Sequence, residues 1–177
     1  SQNKNFISLC LNSKLSSEIT LQPIQKFDLD SAIIFSDILI TPYALGQEVK
    51  FIKDEGPKLD ELNIEKFLDI NESEFLKKLH PVYKAIELTR KNLNKDKSLI
   101  AFIGAPWTLL VYMLNKQSPK KKIKKDFLDD NSLINKILII LEKFLKLYIK
   151  NQIDNGAEII QIFDSWAGLL DEKNLSK

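Results

Sequence analysis

Three short clusters of polar and aromatic residues follow apolar runs in this 177-residue chain. Ser36-Asp37 follows Ala32-Ile33-Ile34-Phe35, Gly104-Ala105-Pro106-Trp107 follows Leu99-Ile100-Ala101-Phe102-Ile103, and Asp164-Ser165-Trp166 follows the run Glu158 to Phe163. If the runs are parallel strands, all three clusters stand at carboxyl ends. That is the edge at which α/β proteins assemble an active site from several strands. A lone Asp after a strand also serves as a turn former or helix cap, so each cluster has a structural reading of its own. Their shared rim favours one common pocket. A zinc site of Cys and His cannot be built from this chain, because Cys10 is its only cysteine and His80 its only histidine.

The elements that must position these clusters follow from periodicity and punctuation. Leu15, Ile19, Ile24 and Phe27 recur at helical spacing, which predicts a helix over Leu15 to Phe27 with Ser16 and Ser17 as cap residues. The run Ala32 to Phe35 is apolar without alternation, as expected of a parallel strand covered on both faces. Between Asp37 and Leu59 lies a long connection holding Pro42, Gly46, Gly56 and Pro57, in which Glu48 to Ile52 alternates like one arm of a hairpin. A helix from Pro81 to Leu93, with Pro81 in its first turn, leads to a second strand, Leu99 to Ile103. Ala105-Pro106 opens another helix through Met113. A long helix near Leu133 to Ile153 is stopped by Gly156 before the third strand, Glu158 to Phe163. Alternating helices and buried strands predict an α/β fold with a parallel sheet, in one continuous unit over residues 1–177.

Composition narrows the partners. Lys plus Arg number 26 against 24 Asp plus Glu, and a net charge of +2 points to neither nucleic acid nor a membrane surface. The Lys120 to Lys125 run reads as a solvated face. Arg90 is the only arginine, a skew that matters because bidentate carboxylate clamps prefer Arg. No segment approaches the roughly 18 consecutive apolar residues of a membrane helix, and the amino end shows no signal-peptide pattern. With one cysteine and no activating neighbour in sequence, the expectation is a reducing, cytoplasmic setting and an inert thiol.

Several blocks then carry a specific resemblance. Ile34-Phe35-Ser36-Asp37-Ile38-Leu39, Thr41-Pro42, Ala44-Leu45-Gly46 and Asp54-Glu55-Gly56-Pro57 resemble the strand and loop of the uroporphyrinogen decarboxylase family. So do Phe102-Ile103-Gly104-Ala105-Pro106-Trp107-Thr108-Leu109 with Tyr112-Met113, and Gln161-Ile162-Phe163-Asp164-Ser165-Trp166-Ala167-Gly168 behind Gly156-Ala157-Glu158. Thr20-Leu21-Gln22-Pro23 fits as well. The resemblance implies a partial (β/α)8 TIM barrel, about its first half. It implies a cofactor-free carboxy-lyase, homodimeric at full length, that removes CO2 from the four acetate side chains of uroporphyrinogen III on the way to haem or chlorophyll.

By the same resemblance Asp37 matches the family's catalytic Asp, Tyr112 its active-site Tyr and Ser165 its active-site Ser. Phe102 matches an apolar wall beside the substrate, although a place in a core strand explains it equally well. Trp107 and Trp166 read as packing or rim residues, and His80 as a helix-start residue. The family's amino-terminal Arg-Gln-Ala-Gly-Arg block and its carboxyl half, with an active-site His, are not in this sequence. The chain therefore reads as a fragment, expected to turn over nothing by itself and to aggregate through open strand edges. Where the family often has a Gly-rich loop, Asn115-Lys116-Gln117-Ser118-Pro119 stands instead. Two other readings remain: a related barrel methyltransferase using zinc and a corrinoid, and a non-catalytic α/β binding module.

Overall fold

The computed structural model describes residues 6–119 and 131–169. In chain order the elements are α1 (Phe6–Cys10), α2 (Ser13–Lys26), β1 (Ser31–Ile33), α3 (Ile40–Ala44), β2 (Val49–Ile52), β3 (Gly56–Leu59), α4 (Ile64–Leu68), α5 (Glu72–Asn92), β4 (Ser98–Gly104), α6 (Pro106–Asn115), α7 (Asn131–Asp154) and β5 (Ile159–Phe163), then a 3₁₀ turn at Ala167–Leu169. The Lys120 to Lys125 run lies outside the described residues.

Asparagine starts three of the helices. The side chains of Asn12, Asn63 and Asn71 each accept the backbone N–H three residues on, at Leu15, Lys66 and Glu74, which satisfies one of the donors a helix leaves free at its first turn. This corrects two expectations. Asn12, not Ser16 or Ser17, caps α2. Both serines are buried within it, and the Ser16 hydroxyl donates back to Leu9 O. The helix expected at Pro81 begins nine residues earlier, at Glu72, where the Asn71 cap and two first-turn glutamates favour its positive end. Pro81 sits inside it, and His80 is an exposed mid-helix residue rather than a helix start.

β1, β4 and β5 form one parallel sheet in that order, with Ile33 opposite Ile100 and Ile100 opposite Ile159. The sheet is singly wound: each new strand adds on the same side, and α2, α5 and α7 lie against one another and against one face of it. Their shared core includes Leu99, Ala101 and Ile103 of β4, with Leu79, Ile86, Leu141 and the stacked rings of Phe75, Phe144 and Tyr148. The expectation of strands covered on both faces is met on one face only for β1 and β4, and at β5 Ile162 is exposed on that face as well. The other carries Ile33, Ile100, Phe102, Ile159 and Phe163, and among the described residues nothing covers it: Ile33 is 59% exposed and Ile159 46%.

The long connection after β1 holds the expected hairpin, β2 antiparallel to β3. It is fastened to the far end of α6. The buried Gln47 side chain donates to Asp60 O and Met113 O, and Leu59 N–H donates to Lys116 O. Lys116 takes the left-handed conformation (φ 60°) that a Gly-rich loop would adopt without strain, and its backbone N–H closes the helix onto Tyr112 O.

Candidate active site

Asp37 is placed by the end of β1. Ile34 N–H still donates to Ile100 O, and Phe35 N–H donates to the buried Thr20 hydroxyl of α2, so the chain leaves the sheet at a fixed point. Asp37 then makes its own turn: Oδ1 accepts Leu39 N–H at 2.8 Å, and its backbone carbonyl accepts Ile40 N–H to open α3. Among the described residues no cation pairs with it. Burial raises the pKa of its carboxyl, and the Leu39 N–H opposes this only in part.

The segment after Asp37 rides over the end of β4. A Cβ on Gly104 would stand 2.7 Å from Leu109 Cδ2 and 3.2 Å from Ile38 Cβ, so glycine lets α6 and the Asp37 loop meet there. α6 begins with Pro106 at its first position, where the missing N–H costs no hydrogen bond. One face of α6 presents Thr108 and Tyr112 four residues apart. Tyr112 is half-buried with its ring edge-on to Trp166, the centroids 5.9 Å apart. Burial pushes its phenol up, the nearby Trp166 indole pulls it back, and the charge of Asp37 pushes it up again. Asp37 and Tyr112 are therefore within electrostatic reach of one another.

Ser165 follows β5 and is exposed, its hydroxyl making no hydrogen bond among the described residues. Its neighbours are held by α6: the Trp107 indole N–H donates to Trp166 O at 3.0 Å, and the Thr108 hydroxyl bonds both Asp164 and the Trp166 backbone. Phe102 lies on the uncovered sheet face, half-buried, with its ring edge-on to Phe163 at 5.5 Å. It also lines a cavity of about 430 Å³ along the open edge of β1, together with Ile19, Pro23, Ile33 and Phe35.

Sequence reasoning missed a layer of buried polar groups behind Asp37. The Cys10 thiol, buried in α1, is pushed up to about 12 by burial and then by the charge of Asp37. Tyr148 of α7, almost wholly buried, is raised by burial, by Tyr83 and also by Asp37. No local spacing signals this layer, since its members come from three separate helices. Among the described residues no group of three or more His, Cys, Asp or Glu side chains converges as a metal site would need.

Comparison with known proteins follows this geometry. The sequence model of the family described as Uroporphyrinogen decarboxylase (URO-D) matches residues 1–177. Uroporphyrinogen decarboxylase of Campylobacter jejuni is 44% identical over 171 residues, covering 94% of this chain and 50% of that protein. The enzyme of Rickettsia bellii is 43% identical over 180 residues, covering 98% and 52%. Among solved structures, a methyltransferase from Methanosarcina mazei superposes with a TM-score of 0.76 over 94% of this chain and 50% of its own; at 17% identity this is a likeness of fold. Spanning about half the length of the curated relatives it matches, the chain belongs to the uroporphyrinogen decarboxylase family.

Proposed function

We propose that residues 1–177 form a single domain, about the first half of a (β/α)8 barrel, and that the whole protein decarboxylates the four acetates of uroporphyrinogen III to coproporphyrinogen III. The singly wound parallel sheet supports the barrel, as do its apolar second face and the exposed edges at β1 and β5 where further strands would pair. A homodimer in a reducing cytoplasm completes the reading. The dimer rests on family likeness, and the setting is in keeping with the single buried thiol.

The observation that carries the chemistry is a half-buried carboxylate at a strand-end rim that pairs with no cation among the described residues. Loss of CO2 from a pyrrole acetate leaves an electron pair that needs a sink, and protonation of the ring carbon supplies one by making the macrocycle cationic. Asp37 is left incomplete by its surroundings: burial disfavours its charge and one backbone N–H offsets only part of that. A ring presenting pyrrole N–H groups and developing positive charge is the complement it lacks, so the interaction is stronger in the transition state than before protonation. Tyr112 and Ser165 offer hydroxyl hydrogen bonds to substrate, and Phe102 an apolar wall.

The test is incubation of the full-length protein with uroporphyrinogen under anaerobic conditions, with chromatography of the products and a zinc determination. Stepwise loss of four carboxylates without bound metal is the expected result. An inert protein containing zinc would favour methyl transfer on the same fold, and tight tetrapyrrole binding without turnover a binding module.

A further inference from the structure

The loop carrying Ser165 has no regular structure of its own, yet the first turn of α6 holds it on every side. Ala105 N–H donates to Phe163 O at 2.8 Å just before the loop. Thr108, 0% exposed, donates its hydroxyl to Asp164 Oδ1 at 2.7 Å and with the same oxygen accepts Trp166 N–H at 3.1 Å. The Trp107 indole donates to Trp166 O. The residues on both sides of Ser165 are thus tied to two consecutive residues of one helix, while Ser165 itself is exposed and makes no hydrogen bond among the described residues.

We infer that Thr108 is a positioning residue, whose hydroxyl locks the Asp164–Trp166 loop to α6 and so sets Ser165 against Tyr112. The chemistry of the side chain suits this use. A hydroxyl donates and accepts at once, which neither valine nor alanine can do. The β-branch restricts χ1, so the oxygen is held on line between its two partners. Thr108 and Tyr112 share one face of α6, and Trp166, whose backbone Thr108 holds, packs its ring on Tyr112. One bracket therefore governs both hydroxyl-bearing residues of the candidate site. The inference rests on the reading that Ser165 and Tyr112 contact substrate, but the bracket can be measured without substrate.

The experiment compares Thr108→Val, Thr108→Ser and Asp164→Ala in the full-length protein, following hydrogen exchange of the Trp166 amide and steady-state decarboxylation. Thr108→Val and Asp164→Ala should each speed exchange of that amide at least tenfold. They should lower kcat at least tenfold, with KM changed less. Thr108→Ser should stay within threefold of wild type in both measures. If Thr108→Val does not fold, Asp164→Ala, on an exposed side chain, carries the same test. A Val variant with fast amide exchange but wild-type kcat would overturn the positioning role. So would a Ser variant as impaired as Val, since packing rather than the hydroxyl would then matter. If wild type decarboxylates nothing, the functional reading fails while the bracket is still judged: protection of Trp166 in wild type and Ser but not Val upholds it, and equal exchange in all three overturns it.

Discussion

Replacing Asp37 with Asn removes one charge from the candidate site and little else, because the amide oxygen can still accept the Leu39 N–H that shapes the turn. The half-buried position sets the scale. At an effective dielectric of about 20, a unit negative charge about 4 Å from a unit positive charge is worth about 4 kcal/mol. If that interaction appears only as the ring becomes cationic, its loss lowers kcat by about a thousandfold. The same substitution acts on stability with the opposite sign. Burial raises the Asp37 pKa in the folded protein, so the group's contribution is fully present below its unfolded pKa and is lost as pH rises through its folded value. At neutral pH the wild type therefore bears a buried charge that Asn does not. The Asn variant should melt at a higher temperature than wild type at neutral pH, and the difference should vanish below about pH 4. Initial rates of coproporphyrinogen formation and thermal melts at the two pH values measure both arms. An Asn variant within tenfold of the wild-type rate, or one less stable at neutral pH, refutes the reasoning.

Tyr112→Phe should reduce kcat by about tenfold or less, the cost of one hydrogen bond, and product chromatography will show whether it stalls at a partly decarboxylated intermediate. Arg90 supplies four hydrogen bonds at the opposite end of the sheet, to the carbonyls of Leu93, Asn94 and Lys97 and to Glu158, whose same oxygen accepts Leu99 N–H. Lysine cannot reproduce that fork, so Arg90→Lys should lower urea-unfolding stability by about 1–2 kcal/mol and Arg90→Ala by about 3 kcal/mol. Gly156→Ala should cost about 1–2 kcal/mol, since φ is +109° and the new Cβ would lie 2.9 Å from Arg90 Cγ. That cost should shrink in the Arg90→Ala background, which a double-mutant cycle reads directly. The Cys10 thiol, with its pKa near about 12, should resist alkylation at neutral pH until denaturant exposes it, as mass spectrometry of treated protein will report.

What was legible in the sequence is what local chemistry decides. The strands announced themselves because a parallel strand packed under helices is apolar along its length, and the hairpin through alternation next to Gly56. Pro106 and Gly156 marked a helix start and a helix stop that the backbone honours. Pro81 misled because proline is a good first-turn residue, whereas an Asn cap ten residues earlier, followed by two glutamates, was the stronger start signal. The short helices α1, α3 and α4, of five residues each, have too few turns to show a period. Asp37 and Ser165 could be placed on one rim from their positions after strands, whereas Tyr112, inside α6, was singled out only by the family resemblance. The bond from Thr108 to Asp164 could not be placed this way, because it joins residues 56 apart and depends on the register of β4 against β5.

Register also explains why the candidate site is gathered over the end of β4. β1 stops pairing at Ile34, opposite the middle of β4, while β4 continues to Gly104 beside Phe163. The chain after β1 is thus free to lean across, and Ile38 comes to rest against Gly104. Leu109, on the other side of Gly104, is fully buried, and its Cδ2 would be the nearest atom to a new Cβ, at 2.7 Å. Any side chain at position 104 would meet Leu109 of α6 first and the Asp37 loop next, so glycine at this point of the central strand permits the close approach of both.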